Sequence, residues 1–304
     1  PLTFHMQPIA GLAMILGLSF TAIFAGDIPA TFLRVPGTPA SGAAVLDGYE
    51  MSKQGKGSLA IMIDLFCSTL GGLIGVVLLI TVSPTLAKFA LKFTHFEYFW
   101  LGVLGLSMSA VITKGSNLKG LISMVAGLLL ATIGIDVSTG YPRFAFGNIN
   151  LISGINFIPV MIGMFGLSEV LKSVATQTHD ELAGAAVAEM RKTKIMDVLK
   201  IMGRNKRVIV QSSLIGTLIG ALPGAGADIA AWVSYGLAKK TSKKPELFGT
   251  GAEEGVVAPT TANNAALGGT WIPALVFGIP GDTITAIVLG AMLMYGLKPG
   301  PLVF

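Results

Sequence analysis

Polar residues stand beside helix-breaking Pro-Gly pairs in otherwise apolar stretches of this sequence. The pairs are Pro36-Gly37, Pro223-Gly224 and Pro280-Gly281. A break inside a membrane frees backbone N–H and C=O groups, which survive only where they are buried in protein or face water or a ligand. Freed N–H groups at a helix N-terminus favour a carboxylate, and freed carbonyls favour Na⁺. The candidate substrate- and ion-binding residues are Pro36, Gly37, Thr38, Ser41, Pro223, Gly224, Gly226, Asp228, Asn263, Asn264, Pro280, Gly281, Asp282 and Thr283.

Each of these polar residues also has a purely structural interpretation. An Asp or Asn in the first turn of a helix can simply cap it. Asp228 is therefore predicted either to cap the helix after its break or to hold Na⁺ together with Gly224 and Gly226. Recurrence of the same device at three breaks favours binding. Asp64 lies near the end of an apolar span, where a carboxylate can face water, and Arg34 can pair with an anionic substrate or snorkel to the headgroups.

The composition places these breaks in an integral membrane protein. Of the 304 residues, 52% are hydrophobic and 12% are charged, against about 25% charged in an average soluble domain. The mean hydropathy is +0.74. The cations behind the net charge of +5 lie in short loops between apolar segments, as in bacterial membrane proteins, so no nucleic-acid partner is expected. The single cysteine, Cys67, excludes an intrachain disulfide framework and is predicted to be a packing residue.

Sequence motifs of enzymes are missing. The chain has no HExxH, GxSxG or Walker motif, and its three histidines lie in different segments without metal-ligand spacing. The stretch GAGADIA (224–230) lacks the third glycine of a dinucleotide-binding loop. We therefore predict a protein that is not an enzyme, has no certain metal site and uses no organic cofactor.

The expected fold is an all-α polytopic membrane protein, a transmembrane helix bundle with internal repeats and broken or re-entrant helical hairpins. Its single transmembrane domain spans 1–304. The expected parts are a first-repeat broken-helix segment (1–58), transmembrane helices (59–174), a cytoplasmic basic linker (175–207) and a second-repeat broken-helix segment (208–304). The expected crossings are 59–82, 98–113, 118–137 and 151–174, with an interfacial helix at 84–96. The three apolar stretches 208–238, 256–280 and 283–297 are all predicted to be broken.

Residues 208–238 are predicted to form a re-entrant helical hairpin. The flanking loops are 191–207, with seven Lys or Arg and one Asp, and the basic run 239–244. Both are assigned to the cytoplasm by their charge. Each arm has about 14 residues and is roughly 21 Å long, short of the ~30 Å hydrocarbon core. The alternative is one long kinked helix, which places 239–244 outside the cell.

An internal repeat relates the two ends of the chain at a constant offset of 244 residues. Ile28-Pro29-Ala30 aligns with Ile272-Pro273-Ala274, and Pro36-Gly37 aligns with Pro280-Gly281. Paired hydrophobic segments interrupted by Gly or Pro are the best sequence indication of a secondary-transporter site. Hydropathy leaves the relation of the halves open. Four crossings between them make the repeats parallel, and one miscounted segment, such as 84–96, makes them inverted.

Several motifs together resemble the large membrane subunit of tripartite tricarboxylate transporters, the TctA-type family. They are VPGTPASGAAVLDGY (35–49), PTLAKFALKFTHFEYF (84–99), GALPGAGADIAAWVSYGLAKK (220–240), FGTGAEEGVVAP (248–259), ANNAALGG (262–269) and GIPGDTITAIVLGAMLMYGLKPGP (278–301). The resemblance implies uptake of carboxylates across a bacterial inner membrane by a multi-pass protein, driven by a Na⁺ or H⁺ gradient. It also implies a small membrane subunit and a periplasmic solute-binding protein as partners. The family's Pro-Gly tips carry over to the three Pro-Gly pairs, and its paired asparagines to Asn263-Asn264.

Two departures from the family pattern stand out. Thr260 occupies the position after Ala-Pro where the family usually has a glutamate, which puts the coupling ion or the substrate in doubt. The family also has an LPG break ahead of the segment that matches Pro1, and the family protein is longer, so we expect this chain to be an internal fragment of the large subunit. The alternative to a permease is a non-transporting membrane scaffold or interaction subunit whose broken helices only shape packing.

Overall fold

The computed structural model describes residues 6–92, 117–136, 141–155, 193–223 and 225–301, together with positions 94, 96, 97, 99, 100, 103, 160 and 171. The predicted helices 98–113 and 151–174 fall mostly outside these residues, and Gly224 and residues 175–192 of the predicted basic linker fall outside them entirely. The number of crossings between the repeats, and with it their parallel or inverted relation, stays a prediction.

The described chain is mainly helical, as predicted. The helices are α1 (Pro8–Leu33), α2 (Val45–Met51), α3 (Gly57–Ala90), α4 (Asn117–Ala131), α5 (Ile149–Ile152), α6 (Ile195–Arg204), α7 (Lys206–Gly220), α8 (Gly226–Thr241), α9 (Glu253–Phe277) and α10 (Thr283–Met294). A 3-10 helix spans Pro39–Gly42, a π-helical turn joins α2 to α3 over Ser52–Lys56, and a second 3-10 turn spans Pro245–Leu247. The strands β1 (Gly134–Ile135) and β2 (Pro142–Arg143) pair antiparallel, Gly134 opposite Arg143 and Ile135 opposite Pro142.

Two of the described helices are long and apolar enough to cross a membrane. They are Pro8–Leu33 and the segment Val45–Ala90, in which α2 and α3 are joined across a kink at Gly55, where φ is 74°. Two shorter apolar helices are Leu118–Ala131 and Thr283–Met294. Together with the composition, these helices support a membrane location.

At three prolines where an interruption of the helix was predicted, the helix continues. Pro29 lies within α1 and Pro84 within α3, so the predicted separate helix 84–96 is wrong up to Ala90. Pro273 lies within α9, so the stretch 256–280 runs unbroken to Phe277. Proline removes one intrahelical hydrogen bond, but packing against neighbouring helices lets a helix continue through it.

Helix α9 is the centre of the described structure. Of its 25 residues, 21 are buried, and it packs against α3, α7 and α8. Helices α3 and α7 approach α9 closely because each has a pair of glycines four residues apart that face it. A Cβ on Gly71 of α3 would lie 2.2 Å from the carbonyl oxygen of Thr261, and one on Gly216 of α7 would lie 2.3 Å from that of Ala262. Gly71 and Gly75 of α3 are a GxxxG pair, and this spacing lets α3 and α9 approach closely.

Helices α7 and α8 form an antiparallel hairpin. The Ser234 hydroxyl donates to the Ser212 hydroxyl at 2.7 Å, and these residues lie equally far, 11 positions, on either side of Pro223. The open ends, including Arg207 and Lys243, line one cleft of about 630 Å³. This geometry rules out one long kinked helix and brings the two basic loops to the same end. The position of the tip within a membrane stays a prediction.

Candidate functional site

The two repeats end their first helix in the same way. Arg34 and Gly278, 244 positions apart, both adopt the left-handed conformation, with φ of 59° and 70°. The amide after each of them donates back to a proline carbonyl, that of Pro29 at 3.4 Å and that of Pro273 at 3.3 Å. This is the Schellman arrangement, in which the chain turns sharply away from the helix axis. The internal repeat read from the sequence therefore corresponds to a repeated backbone geometry.

The residues just past the two breaks are also equivalent. In the first repeat the hydroxyls of Thr38 and Ser41 lie 2.8 Å apart. In the second, the Asp282 carboxylate accepts a hydrogen bond from the Thr285 amide at 2.8 Å, and the Thr285 hydroxyl lies 3.0 Å from the Asp282 amide. Thr38 aligns with Asp282 and Ser41 with Thr285. The carboxylate of Asp282 therefore acts as a helix cap, the structural interpretation weighed for it above.

The glycine of each Pro-Gly pair lets the break fold back onto its own helix. The Gly37 amide donates to the Gly26 carbonyl at 3.0 Å. A Cβ on Gly37 would lie 2.8 Å from the Gly26 Cα, and one on Gly281 would lie 2.7 Å from the Thr270 Cα. Gly26 and Thr270 are again 244 positions apart, so both breaks dock on the equivalent helical position.

The tip of the α7–α8 hairpin meets the second break. Gly226, the first residue of α8, has a φ of 62°. A Cβ at that position would lie 3.1 Å from the Cβ of Asp282 and 3.6 Å from a carboxylate oxygen of Asp228. Four of the predicted site residues, Gly226, Asp228, Gly281 and Asp282, thus lie together where α8 and α10 begin.

All three interruptions converge on the middle of α9. Ala40 after the first break, Ala227 after the hairpin tip and Ile284 after the second break pack in one cluster with Ala266 and Leu267 of α9. Pro36, Gly37 and Thr283 lie at the exposed side of these breaks, whereas Ser41 and Gly281 are buried. Sequence separation between the segments is large, so only the folded helices bring them together.

Asn263 and Asn264 do not lie at a break, in contrast to the prediction. Both are buried in the middle of the continuous helix α9, and the Asn264 amide donates to the Asn263 side-chain oxygen at 2.9 Å. Thr260, one turn earlier, is buried and its hydroxyl donates to the Val256 carbonyl at 2.9 Å. A hydroxyl can satisfy itself on its own helix in this way, so Thr260 requires no ionic partner where the family usually has a glutamate.

Two buried aspartates are missing from the candidate set, and one of them, Asp27, lies beside Asn263. Asp27 of α1 and Asp64 of α3 are 1% and 2% exposed. The polar neighbours of the Asp27 carboxylate are the side chains of Ser41, Asn263 and Asp64. Asp64 is therefore buried rather than facing water as expected. Asp27 was missed although it stands inside the repeat, at the position that Trp271 occupies in the second copy.

Other candidates have ordinary surroundings. The Arg34 guanidinium lies 5.6 Å from the centroid of the Tyr49 ring, a cation–π contact at a helix end. Cys67 is buried and free, as predicted. Within the described part of the chain, no three His, Cys, Asp or Glu side chains gather as they would around a transition metal.

The model of the tripartite tricarboxylate transporter TctA family matches residues 1–304. An Agrobacterium vitis protein described as an uncharacterized 52.8 kDa protein in the TAR-I ttuC' 3' region is 38% identical over 301 residues, 99% of this chain and 59% of that protein. An uncharacterized protein in the TAR-II ttuC' 3' region of the same organism is 46% identical over 86 residues, 28% of this chain and 36% of that protein. No solved structure matches. The chain spans about three-fifths of the first relative and belongs to the tripartite tricarboxylate transporter TctA family.

Proposed function

We propose that this chain is the core of the permease subunit of a cation-coupled secondary transporter that imports di- or tricarboxylates. The observation that carries the proposal is the convergence of two equivalent helix breaks and a hairpin tip on the buried middle of α9. Secondary transporters place their substrate and ion sites at such interruptions of paired repeats, near the middle of the membrane. Membership of the family supports the same conclusion.

The carboxylate substrate is assigned to the start of α8, which meets the start of α10 at Gly226 and Asp282. The first amides of a helix lack intrahelical acceptors and carry the positive end of its dipole, so they attract an anion. Asp282 already caps α10, which leaves the α8 amides as the better donors. Asn263 and Asn264 are neutral amides in the buried middle of α9, the helix on which the breaks converge.

A scaffold without transport activity accounts poorly for the interior of this protein. Three carboxylate oxygens, two of Asp27 and one of Asp64, are buried and have no donor in hydrogen-bonding geometry among the described residues. Burying an ionised carboxylate without a partner is costly. A protein that only packs against others gains nothing from that cost, whereas a transporter uses buried carboxylates to bind ions.

The location, partners and driving ion that we propose are those that membership of the family suggests. The proposed location is the bacterial inner membrane, with the two basic loops at the ends of the α7–α8 hairpin in the cytoplasm. The proposed partners are a small membrane subunit and a periplasmic solute-binding protein that delivers the carboxylate. Na⁺ or H⁺ is the proposed driving ion.

Uptake by the full-length protein with its partner subunits tests the proposal. Labelled di- and tricarboxylates are offered to proteoliposomes with an inward Na⁺ gradient, an inward H⁺ gradient or neither. We expect gradient-dependent uptake that Asp228→Ala and Asn263→Ala abolish. Glu246→Ala, which removes an exposed carboxylate, is the control and keeps full uptake. No gradient-dependent uptake of any carboxylate refutes the permease, and full uptake by both variants removes those residues from the site.

A further inference from the structure

The interior of the described helices contains a pair of neighbouring aspartates without a cationic partner. Asp27 and Asp64 come from α1 and α3 and are almost fully buried. Each is a neighbour of the other. Among the described residues, no Lys, Arg or His lies within ion-pair distance of either carboxylate. Two adjacent carboxylates in a dry interior repel each other, so they require a proton or a cation between them.

The hydrogen bonds of this pair are incomplete. One Asp64 oxygen accepts from the Ser68 hydroxyl at 2.9 Å. The other Asp64 oxygen, both Asp27 oxygens and the Asn263 amide nitrogen have no hydrogen-bond partner in the described structure, although all four atoms are buried. Asn263 is itself fully buried and is a neighbour of the Asp27 carboxylate. The two unpaired oxygens of Asp27, a residue that is 1% exposed, are the sign of a ligand, because buried polar groups are normally paired. The Asn263 amide is a donor, which can pair with Asp27 but not with a cation.

We propose that Asp27 and Asp64 bind a sodium-sized monovalent cation, with the hydroxyl of Ser41 as a neutral oxygen ligand. A monovalent cation can be ligated by all three unpaired carboxylate oxygens at once. A proton shared between the two carboxylates removes the same single charge, so the comparison of Na⁺ with pH below separates the two occupants. Oxygen ligands suit a hard cation. Ca²⁺ takes six to eight oxygens and Mg²⁺ keeps several waters, which is more than these few buried side chains offer. Two carboxylates and one monovalent ion keep one negative charge, and the Asn263 amide can donate a hydrogen bond to the carboxylate of Asp27 that carries it.

This position connects the ion to the first helix break. Asp27 follows Gly26, and a Cβ on Gly26 would lie 2.7 Å from the Thr38 methyl group and 2.9 Å from the Ser41 hydroxyl. A cation held between Asp27 and Ser41 therefore fixes the break against α1. Its ligands come from α1, α3 and the first break, and not from Gly226 or Asp228, where the sequence suggested Na⁺. The inference rests on the proposed permease function, in which this cation is the driving ion.

Thermal unfolding of the full-length protein in detergent tests the site without transport. Tm is measured in NaCl and in choline chloride at equal ionic strength. We expect Na⁺ to raise the wild-type Tm by roughly 5 °C at a hundredfold excess over Kd. Asp27→Asn and Asp64→Asn are expected to lose this rise while their Tm in choline is equal to or above that of wild type, because a buried charge is gone. A role limited to packing predicts a lower Tm in both salts.

Asp47→Asn is the matched control, since Asp47 is an equally buried carboxylate that accepts four hydrogen bonds. It is expected to keep the Na⁺-dependent rise. Ser41→Ala is the milder variant and is expected to weaken Na⁺ affinity roughly tenfold, as the loss of one ligand does. It decides the case if the aspartate variants do not fold.

Three results overturn the cation site. The first is a Na⁺-dependent rise in Tm that is as large in Asp27→Asn as in wild type, and the second is an unchanged Na⁺ affinity in Ser41→Ala. The third is a wild-type Tm that responds to pH but not to Na⁺, which indicates that the aspartates bind only a proton. The permease proposal fails separately. Na⁺ binding without uptake of any carboxylate refutes the permease and leaves the site, whereas uptake that Asp27→Asn leaves unchanged refutes the site as the driving-ion site and leaves the permease.

Discussion

Asp47 anchors the loop that leads into α9. It lies in α2 and is 0% exposed. One of its oxygens accepts hydrogen bonds from the amides of Gly249 at 2.8 Å, Gly251 at 2.9 Å and Ala252 at 2.7 Å. The other oxygen accepts from the Tyr235 hydroxyl at 2.9 Å. A single carboxylate thus ties the end of α8 and the start of α9 to α2, about 200 positions earlier in the chain.

The cost of removing this carboxylate follows from the number of donors it leaves. Hydrogen bonds to charged groups contribute about 1.5–3 kcal/mol each. Gly249 is exposed, so water can replace its acceptor in Asp47→Ala. The three remaining bonds give about 4.5–9 kcal/mol, and the partial exposure of the loop favours the lower half, about 4.5–7 kcal/mol. Asp47→Asn keeps the oxygen that accepts three amides and its NH₂ group can donate to the Tyr235 oxygen, so the expected cost is about 1–2 kcal/mol.

Thermal unfolding in detergent, with trypsin cleavage after Lys243 as a second measure of loop release, checks this prediction. The expected order of stability is wild type, then Asp47→Asn, then Asp47→Ala. Glu50→Ala is the control, because it removes only an exposed ion pair with Lys53 at 2.9 Å, a contact that contributes little. Equal stability of Asp47→Asn and Asp47→Ala contradicts the reasoning, since it means that the bound amides find other acceptors at no cost.

Two further predictions concern the α7–α8 hairpin. Gly216→Ala is expected to prevent normal packing, because its Cβ would lie 2.3 Å from the Ala262 carbonyl oxygen. Gly236→Ala is the control: no atom lies within 4 Å of its Cβ, so stability is expected to stay the same or rise by up to about 1 kcal/mol. The yield of monodisperse protein distinguishes the two variants. Ser212→Ala and Ser234→Ala each remove the buried bond at 2.7 Å, and a double-mutant cycle on Tm is expected to give a coupling of about 1 kcal/mol. Additive effects of the two serine substitutions contradict the hairpin pairing.

Sequence patterns located the sharp turns but not every continuous helix. Pro36-Gly37 and Pro280-Gly281 are real breaks because a left-handed cap precedes each of them at Arg34 and Gly278. Pro29 and Pro273, only a few residues earlier, lie within helices. The difference depends on whether neighbouring helices support the chain on both sides of the proline. That support comes from residues far away in the sequence, which local composition does not reveal.

The roles of the buried aspartates were likewise beyond the sequence. Asp27, Asp47 and Asp64 all stand in apolar surroundings and look alike in a hydropathy pattern. In the fold, Asp47 receives three donors from the loop before α9 and a fourth from Tyr235 of α8, all about 200 positions away. Three oxygens of the other two aspartates have no donor in hydrogen-bonding geometry among the described residues. The number of donors that reach a buried carboxylate separates a structural role from an ion-binding one. That number is fixed by tertiary contacts alone.

The two repeats share a backbone but differ in their chemistry. Both end a helix in a left-handed cap, dock a glycine on the preceding helix and place a polar pair three residues apart after the break. In the second copy, the Asp282 carboxylate caps α10, and Trp271 lies at the position that corresponds to Asp27 in the first copy. In the first copy, the residue equivalent to Asp282 is the uncharged Thr38, and the carboxylate is instead that of Asp27 within the helix α1. The duplicated break thus forms a capped turn in the second copy and a turn beside two buried aspartates in the first. The proposed coupling of a cation to an anionic substrate uses this asymmetry.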